Sequence, residues 1–580
     1  FFLNKYYFLK IRSSMSQFYG TISINDGKLL LFSGEQDLSA PDFQSTGPNL
    51  ILARHGDDLN LCLSGFAVSL EANRAKIITA ENLQHFSETN NPKLPSGHYA
   101  GVYVGEKHIR FFTCGSGLRD IYFTQADDYI HFSTDYHTLF PVATPGFDPK
   151  PLGSRWLLYN QLSNRSVFRD YTRVCSGQEF VFEKETSKFH VTEGTGSLKQ
   201  EPANSPDAEE KFTGAIKYFF TLQKETGRPL ELSLSGGLDS RVLLSLLLSS
   251  DIPFSAHSFG YPDDPDVAMA RKLCEKTGVN FTNYTPDEMT LESAIRDVQL
   301  QARYSLLNHP ATSSNNLGYY KKVAENGSPV IIDGGFGELW RRQFFYKLSI
   351  MGKEAILKRD WPAITPHLRH HKADIFRSEV LAEMERGVIH ELEEVFSSLP
   401  DPEKIGVENW IDAFALKTRL SNYYAPEQTM IDSVATSFMP YIQNNVLDIL
   451  FSTPLELRKN STMLKRIIRK NAPILASMPL VKGRTTVPFG LGSLGSRIWS
   501  KFSSLTGKRA TVVNDHETQK LLLLREFVCD LAQTGKVRNS GWLDDAKVAE
   551  LLKFYNGDNS KKNELAWLIS FIALLDIMKP

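Results

Sequence analysis

Between residue 15 and about residue 195, short apolar or alternating runs recur at Phe18–Ile24, Leu29–Phe32, Tyr99–Val104, Arg110–Thr113, Ile121–Thr124, Tyr129–Phe132 and Glu179–Phe182. Clusters of Gly, Asp and Asn separate them, and this punctuation predicts strands and turns. The polar stretch Lys199–Glu209, with Pro202 and Pro206, reads as a linker. After it the period changes. A helix over 208–225 precedes a strand at Leu230–Leu234, and a helix over 240–250 leads to a strand at Pro253–Phe259. Helix 264–277 leads to Asn280–Tyr284, and helix 313–325 leads to Pro329–Ile332. Strands alternating with helices predict a parallel sheet covered on both faces. Ligands of such sheets sit at the carboxyl ends of the strands, where Ser235, Ser258–Tyr261 and Asp333–Glu338 fall. From about residue 345 the chain reads helical, with irregular stretches at 359–366, 398–407 and 472–495. The apolar run Leu565–Met578 contains Asp576 and reads as a buried terminal helix.

Bulk properties narrow the picture only a little. A chain of 580 residues holds about two or three domains. The expected division is leader or upstream sequence at 1–14, a β-rich domain at 15–198, the linker at 199–209, and a second domain at 210–580. The last comprises a sheet core to 345 and a helical region beyond. The aromatic and basic start lacks a small-residue cleavage site, so Met15 is the expected natural start rather than the end of a signal peptide. A formal net charge of −1 gives no general attraction to nucleic acid or to an anionic membrane. No segment is an uninterrupted apolar membrane span. Cys62, Cys114, Cys175, Cys274 and Cys529 are scattered without a Cys-x-x-Cys pair, so neither a disulfide framework nor a zinc site is expected, and the cytoplasm is the default compartment.

The most informative segment is Leu230-Glu231-Leu232-Ser233-Leu234-Ser235-Gly236-Gly237-Leu238-Asp239-Ser240. A strand feeds a glycine turn, and the turn feeds a helix N-terminus. Backbone N–H groups at Gly236, Gly237 and the helix start, with the helix dipole behind them, favour phosphate. The hydroxyls of Ser235 and Ser240 add donors, and Asp239 is suited to a Mg²⁺ that bridges phosphate oxygens. The longer nucleoside-triphosphatase loop ending in Gly-Lys-Ser/Thr is absent. The plain alternative is an ordinary glycine-rich strand–helix link. The stretch resembles instead the pyrophosphate loop of enzymes that split ATP into AMP and pyrophosphate.

The order of these features, from Met15 to about residue 492, resembles the asparagine synthetase family. The resemblance implies an α/β protein: an N-terminal β-rich domain of the Ntn-hydrolase, class II glutamine amidotransferase type, then an α/β pyrophosphate-loop synthetase domain with a helical extension. It implies ATP and Mg²⁺ as cofactors, a small-molecule or peptide carboxylate and an amine as reactants, and an acyl-adenylate between them. By family the acid is aspartate. Leu234, Ser235, Gly236, Gly237, Asp239 and Ser240 would bind ATP and its pyrophosphate. Phe259, in Ser258-Phe259-Gly260-Tyr261, would pack around adenosine, ahead of a helix that begins near Asp266. Asp333 and Gly334 open Asp333-Gly334-Gly335-Phe336-Gly337-Glu338, where the family has Ser-Gly-Glu-Gly-Ser-Asp, so Glu338 joins Asp239 as the second magnesium carboxylate. Lys482 matches the lysine that stabilises the adenylate. A shifted register makes Arg484 the alternative cation. A lone loop lysine is otherwise solvated surface.

Two departures alter the expectation. The family glutaminase needs a cysteine directly after the initiating Met, and Met15-Ser16-Gln17-Phe18-Tyr19-Gly20 carries Ser16 there. A serine hydroxyl without a strong base is a far poorer nucleophile. Thr113-Cys114 also stands where the family carries Arg-Asp, with Arg119-Asp120 a few residues later. No glutamine hydrolysis is expected. Second, Gly335 replaces a glutamate that handles the attacking amine, so amine activation falls to Glu427 or Asp432, or the nucleophile is not ammonia. β-Lactam synthetases and lasso-peptide cyclases share the loss of the cysteine, and the helical extension past residue 510 is similar to that of the lasso cyclases. A peptide or natural-product cyclase and a non-catalytic ATP-binding scaffold are therefore the alternatives. A tRNA-thiolating enzyme would need a catalytic cysteine and a basic RNA surface, which the sequence does not display. A homodimer is left open.

Four further motifs stand out. Gly490-Leu491-Gly492-Ser493-Leu494-Gly495 fits a dinucleotide fingerprint but lacks a surrounding βαβ unit, so a lid over the reaction site is the better reading. His370-His371 point apart on a helix and do not chelate. Lys465-Arg466-Ile467-Ile468-Arg469-Lys470 reads as a solvated basic face, with a phosphate contact as the sharp alternative. Arg341-Arg342 follows the Glu338 turn directly, within reach of pyrophosphate.

Overall fold

The computed structural model describes residues 17–33, 36–38, 49–55, 58–71, 74–77, 96–192, 205–313, 316–483, 485–505, 516–555 and 559–578. The expected leader, Ser16, most of the linker and Arg484 lie outside the described residues.

Two antiparallel sheets make up the N-terminal part. One runs, in spatial order, Thr172–Val174, Ile121–Ala126, Tyr129–Ser133, Tyr19–Ser23, Leu29–Ser33 and Gln36–Asp37. The other runs Lys188–Thr192, Glu179–Glu183, His108–Thr113, Ser96–Val104, Asp58–Glu71 and Leu50–His55, with Arg74–Ile77 also paired to Asp58–Glu71. Their facing sides close over an aromatic core in which Phe123 stacks on Phe180 at 4.1 Å and Phe111 meets Phe132 at 4.5 Å. Offset and edge-on ring pairs of this kind add to area burial.

The sequence reading passed over the strand Asp58–Glu71. Cys62 enters the sheet–sheet core, while Leu61 and Leu63 enter the core shared with the C-terminal part. A strand covered on both faces loses its alternation and no longer looks like one. Phe66, on the same strand, packs edge-on to Phe438 at 5.6 Å, so the two halves share one apolar core.

The C-terminal sheet is parallel throughout, in the order Phe281–Tyr284, Phe254–Phe259, Leu230–Ser233, Val330–Ile332 and Thr436–Phe438. The first four strands match the expected alternation. The fifth was not foreseen: it is three residues long and follows about a hundred residues of mainly helical chain. The central strand Leu230–Ser233 pairs with Phe254–Phe259 on one side and Val330–Ile332 on the other. The chain thus reverses its winding at the end of the central strand, which opens a crevice there. The expected irregular stretch at 359–366 is largely helical, Trp361–Leu368, because Asp360 caps it by accepting from the Ala363 N–H at 3.1 Å and Pro362 suits its first turn. Within 472–495 a two-stranded hairpin forms, Leu480–Lys482 with Thr485–Val487. The terminal helix Lys562–Met578 is buried as expected, in a second core with Trp156, Phe376 and the helix His516–Gln533.

Candidate functional site

At the reversal point the strand Leu230–Ser233 ends, and helix Asp239–Leu248 begins beyond the glycine turn. Leu234 is buried and holds the turn to the neighbouring strand: its N–H donates to the His257 carbonyl at 2.8 Å, and its own carbonyl accepts from the Ser258 hydroxyl. The Ser235 and Ser240 hydroxyls lie 3.0 Å apart, and the Gly237 N–H donates to the Ser235 hydroxyl at 3.2 Å. Gly236 has a different role from the one expected. Its N–H donates to Asp266 at 2.8 Å, and a Cβ there would sit 2.3 Å from the Val481 side chain. Gly236 therefore lets the strand carrying Lys482 press against the loop.

A cavity of about 550 Å³ opens above this loop. Ser235, Gly237, Asp239, Ser240, Phe259, Asp333, Gly334, Glu338 and Lys482 all line it, so the structure brings together nearly every residue singled out from sequence. Phe259 stacks on Tyr319 at 4.9 Å, which gives one wall an aromatic face. Asp333 is half-buried; its carboxylate accepts from the Gly335 N–H at 2.6 Å, and desolvation raises its pKa. Gly334 passes close under the helix start, where a Cβ would lie 3.0 Å from the Ser240 nitrogen. At Gly335 a Cβ would sit 2.6 Å from the Met439 sulfur, so any larger residue there requires that flexible side chain to move.

Asp239 and Glu338 converge on the same cavity. Burial pushes the Asp239 carboxyl up to about 6, with Arg341 pulling it down and Glu338 adding to the rise. One Asp239 oxygen accepts from Arg341 at 2.6 Å, and the other is buried without a hydrogen-bond partner. Two carboxylates with a spare hard oxygen suit Mg²⁺ when phosphate oxygens complete the shell. Among the described residues, no cluster of three or more His, Cys, Asp or Glu could hold a metal. His370 stacks on Tyr159 and His371 pairs with Glu564.

Sequence reasoning missed Arg241 and kept a phosphate contact at Lys465 only as the alternative to a solvated face. Lys465 is buried, 7% exposed, and lines the cavity; its ammonium donates to the Leu491 carbonyl at 2.7 Å. Burial lowers its pKa to about 8, with Lys482 and Arg469 adding to the fall, so two lysines face one space. The clue was periodic: Lys465 shares the buried stripe of Leu464 and Ile468. Leu491, from the glycine-rich 490–495 segment, closes that side of the cavity. Arg241 is wholly buried and donates to the carbonyls of Leu475, Met478, Pro479 and Gly236. Of the pair after Glu338, Arg341 enters the cavity, while Arg342 turns away to Asp412 at 3.4 Å.

A second, smaller cavity of about 190 Å³ is lined by His309, Glu427, Asn308, Asn316 and Tyr423. Tyr424 lines the large cavity, and burial raises its pKa, with Glu338 and Glu427 adding to the rise. Asp432 lies elsewhere. It is buried between Arg119 at 2.8 Å and His98 at 3.1 Å, and Gln428 donates to it at 2.8 Å. Asp120 is equally committed, paired with Arg173 at 3.0 Å. Arg119 and Asp432 thus lock the two halves together, while Asp120 holds Arg173, which in turn donates to Asn422 at 2.6 Å.

Residues 220–335 match the family model of asparagine synthase. This segment is similar to asparagine synthase, and the match supports an ATP-using, amide-forming ligase family. Among solved structures, the chain is similar to NMN synthetase from Francisella tularensis, at 16% identity over 36% of this chain and 85% of that one, with a TM-score of 0.19. It is also similar to glutamine phosphoribosylpyrophosphate amidotransferase from B. subtilis, at 11% identity over 57% and 77%, with a TM-score of 0.21. A further likeness is to the allosteric regulatory enzyme of purine biosynthesis, at 12% identity over 60% and 75%, with a TM-score of 0.20. Scores this low decide nothing about fold or activity. A comparison with curated protein sequences returned no match. No helix among the described residues is long and apolar enough to cross a membrane.

Proposed function

We propose that the chain is an ATP- and Mg²⁺-dependent carbon–nitrogen ligase that activates a carboxylate as an acyl-adenylate and transfers the acyl group to an amine. The observation that carries this reading is the single cavity uniting the serine–glycine loop, the Asp239 and Glu338 carboxylates, and Lys465 and Lys482. In the first step a substrate carboxylate oxygen attacks the α-phosphorus of ATP, and pyrophosphate leaves. Ser235, Gly237, Ser240 and the N-terminus of helix Asp239–Leu248 hold the pyrophosphate. Lys482 and Lys465 offset the charge that builds on the phosphoryl oxygens in a confined site. Mg²⁺, held by Asp239 and Glu338, would draw charge from the phosphate oxygens. In the second step the amine nitrogen attacks the acyl carbon, AMP departs, and a proton leaves the nitrogen. Glu427, in the second cavity, is the group we assign to that proton. Asp432 is held by Arg119 and is not available for it.

The N-terminal half acts as a brace and not as a glutaminase. Ser16 replaces the expected thiol, and Arg119 and Asp120 are spent in buried ion pairs. The acid is aspartate by family, with a peptide carboxylate as the second reading, because the absent thiol and Gly335 both fit a cyclase. A soluble cytoplasmic enzyme acting without nucleic acid or membrane follows from the same reading.

The test is pyrophosphate–ATP exchange with Mg²⁺ across a panel of carboxylic acids, followed by addition of ammonia, glutamine or larger amines. Exchange with aspartate, and asparagine formed from ammonia but not from glutamine, is the expected result. ATP binding without exchange on any free or peptide acid would leave only a scaffold.

A further inference from the structure

Arg341 carries more than the ligase reading uses. Its guanidinium donates to one Asp239 oxygen at 2.6 Å and lies 3.9 Å from Glu338. On its other arm it donates to the Gln343 amide oxygen at 2.7 Å, which braces the plane of the group. Its Nε is buried without a hydrogen-bond partner. Gly337 makes the arrangement possible, since a Cβ there would stand 2.3 Å from the Asp239 carboxyl carbon. Arg342 then takes a positive φ of 53°, and this turn sends the second arginine towards Asp412 and leaves Arg341 in the cavity.

We propose that Arg341 is a resident cation of the pyrophosphate site, able to hold the phosphate chain of a nucleoside triphosphate before any divalent metal arrives. The inference rests on the adenylating reading above and deepens it. Two carboxylates facing one cavity would oppose a polyanionic ligand unless a cation stands between them. Arg341 already fills that place. The second oxygen of Asp239 has no hydrogen-bond partner, so the guanidinium does not use up the carboxylate and a metal would join it rather than replace it. A planar guanidinium with several N–H donors matches phosphate oxygens in geometry as well as charge. Nucleotide binding by this chain should therefore depend on Mg²⁺ less than a site of two bare carboxylates would.

The experiment is calorimetric titration of the full chain with ATP, once in EDTA and once in excess Mg²⁺, for the parent, Arg341→Met and Arg341→Lys. The parent should bind in both. Arg341→Met should lose at least about tenfold in EDTA and distinctly less in Mg²⁺, where the metal restores the missing charge. Arg341→Lys, which keeps one charge, should fall between them, and it serves as the test if the methionine variant does not fold. Equal affinities for parent and variants in EDTA would overturn the proposal, and so would an equal loss in both media, the mark of a purely structural pair. A parent that binds ATP only with Mg²⁺ would overturn it while leaving the ligase reading intact. A parent that binds in neither medium would remove both.

Discussion

Arg241 donates to the Pro479 carbonyl at 2.8 Å, joining the first turn of the helix after the serine–glycine loop to the hairpin that carries Lys482. The same guanidinium reaches the Gly236 carbonyl at 3.1 Å, and the Val481 N–H donates to that carbonyl at 2.9 Å. Loop and lysine are thus fixed against each other by one buried side chain, and burial lowers the Arg241 pKa to about 10. Arg241→Met keeps the volume and removes every donor. The exchange rate should fall about a hundredfold, because misplacing a reacting group by an ångström costs that much. ATP affinity should fall by much less, since the loop residues that hold pyrophosphate remain. Stripped carbonyls should also cost about 2–3 kcal/mol of stability. Steady-state kinetics separate the two effects, and a loss of affinity equal to the loss of rate would show that Arg241 shapes the loop instead.

Much of this was legible in the chain, and the gaps have physical causes. Gly236, Gly237, Asp239 and Ser240 announce a phosphate loop because strand, turn and helix follow one another within a dozen residues. Arg241 looks like the start of an ordinary helix, because three of its four carbonyl partners lie more than 230 residues away. Lys465 was read as solvated because Arg466, Arg469 and Lys470 surround it in sequence. The helix nevertheless turns Lys465 inward with Leu464 and Ile468 and leaves those neighbours on its outer side. Asp432 looked like a spare base. That its carboxylate is spent on Arg119 and His98 depends on the packing of an N-terminal sheet no local pattern could place.

That packing can be measured. Arg119 and Asp432 are both essentially unexposed, and the first belongs to the N-terminal half, the second to the synthetase half. Asp432→Ala leaves a buried guanidinium without its counter-charge, which should cost about 3–5 kcal/mol. Replacing both residues with apolar ones of similar volume should recover much of that loss. Urea unfolding followed by tryptophan fluorescence gives both values. A change below about 1 kcal/mol for the single variant would mean the halves are held by apolar contact alone.

A second buried carboxylate gives the pH dependence. Glu391, on the long helix Ser378–Ser398, accepts from the hydroxyls of Ser154 and Ser163 in the N-terminal half. Burial dominates over these bonds and raises its pKa from 4.5 to about 7. The folded chain therefore keeps a proton here that the unfolded chain has released. Its stabilising contribution is complete below about pH 4.5 and is lost as the pH rises through about 7. A shift of this size corresponds to at most about 3 kcal/mol. Glu391→Gln removes the titration, so the difference in stability between parent and variant should move in the variant's favour from pH 5 to pH 8. A difference that stays constant over that range would mean Glu391 is ionised in the fold throughout.

Glu427 distinguishes the two half-reactions. It faces the smaller cavity with His309, whose pKa burial lowers, and Asn316 donates to it at 3.1 Å. No phosphate-loop residue is among those lining that cavity. Glu427→Gln preserves the shape and removes the base. Pyrophosphate–ATP exchange should then continue within about threefold of the parent, while amide formation falls about a hundred- to ten-thousandfold, the usual worth of a positioned base. Raising the pH or the amine concentration should recover part of the loss, because more of the nucleophile arrives already deprotonated. Equal loss in exchange and amide formation would place Glu427 in the adenylating site, and no loss in either would send the proton elsewhere. A cavity of about 190 Å³ holds about six waters' worth of space, far more than ammonia needs. The same assay should therefore be run with methylamine and with amino-acid amides. Faster transfer to these than to ammonia would assign the natural acceptor to the larger amines.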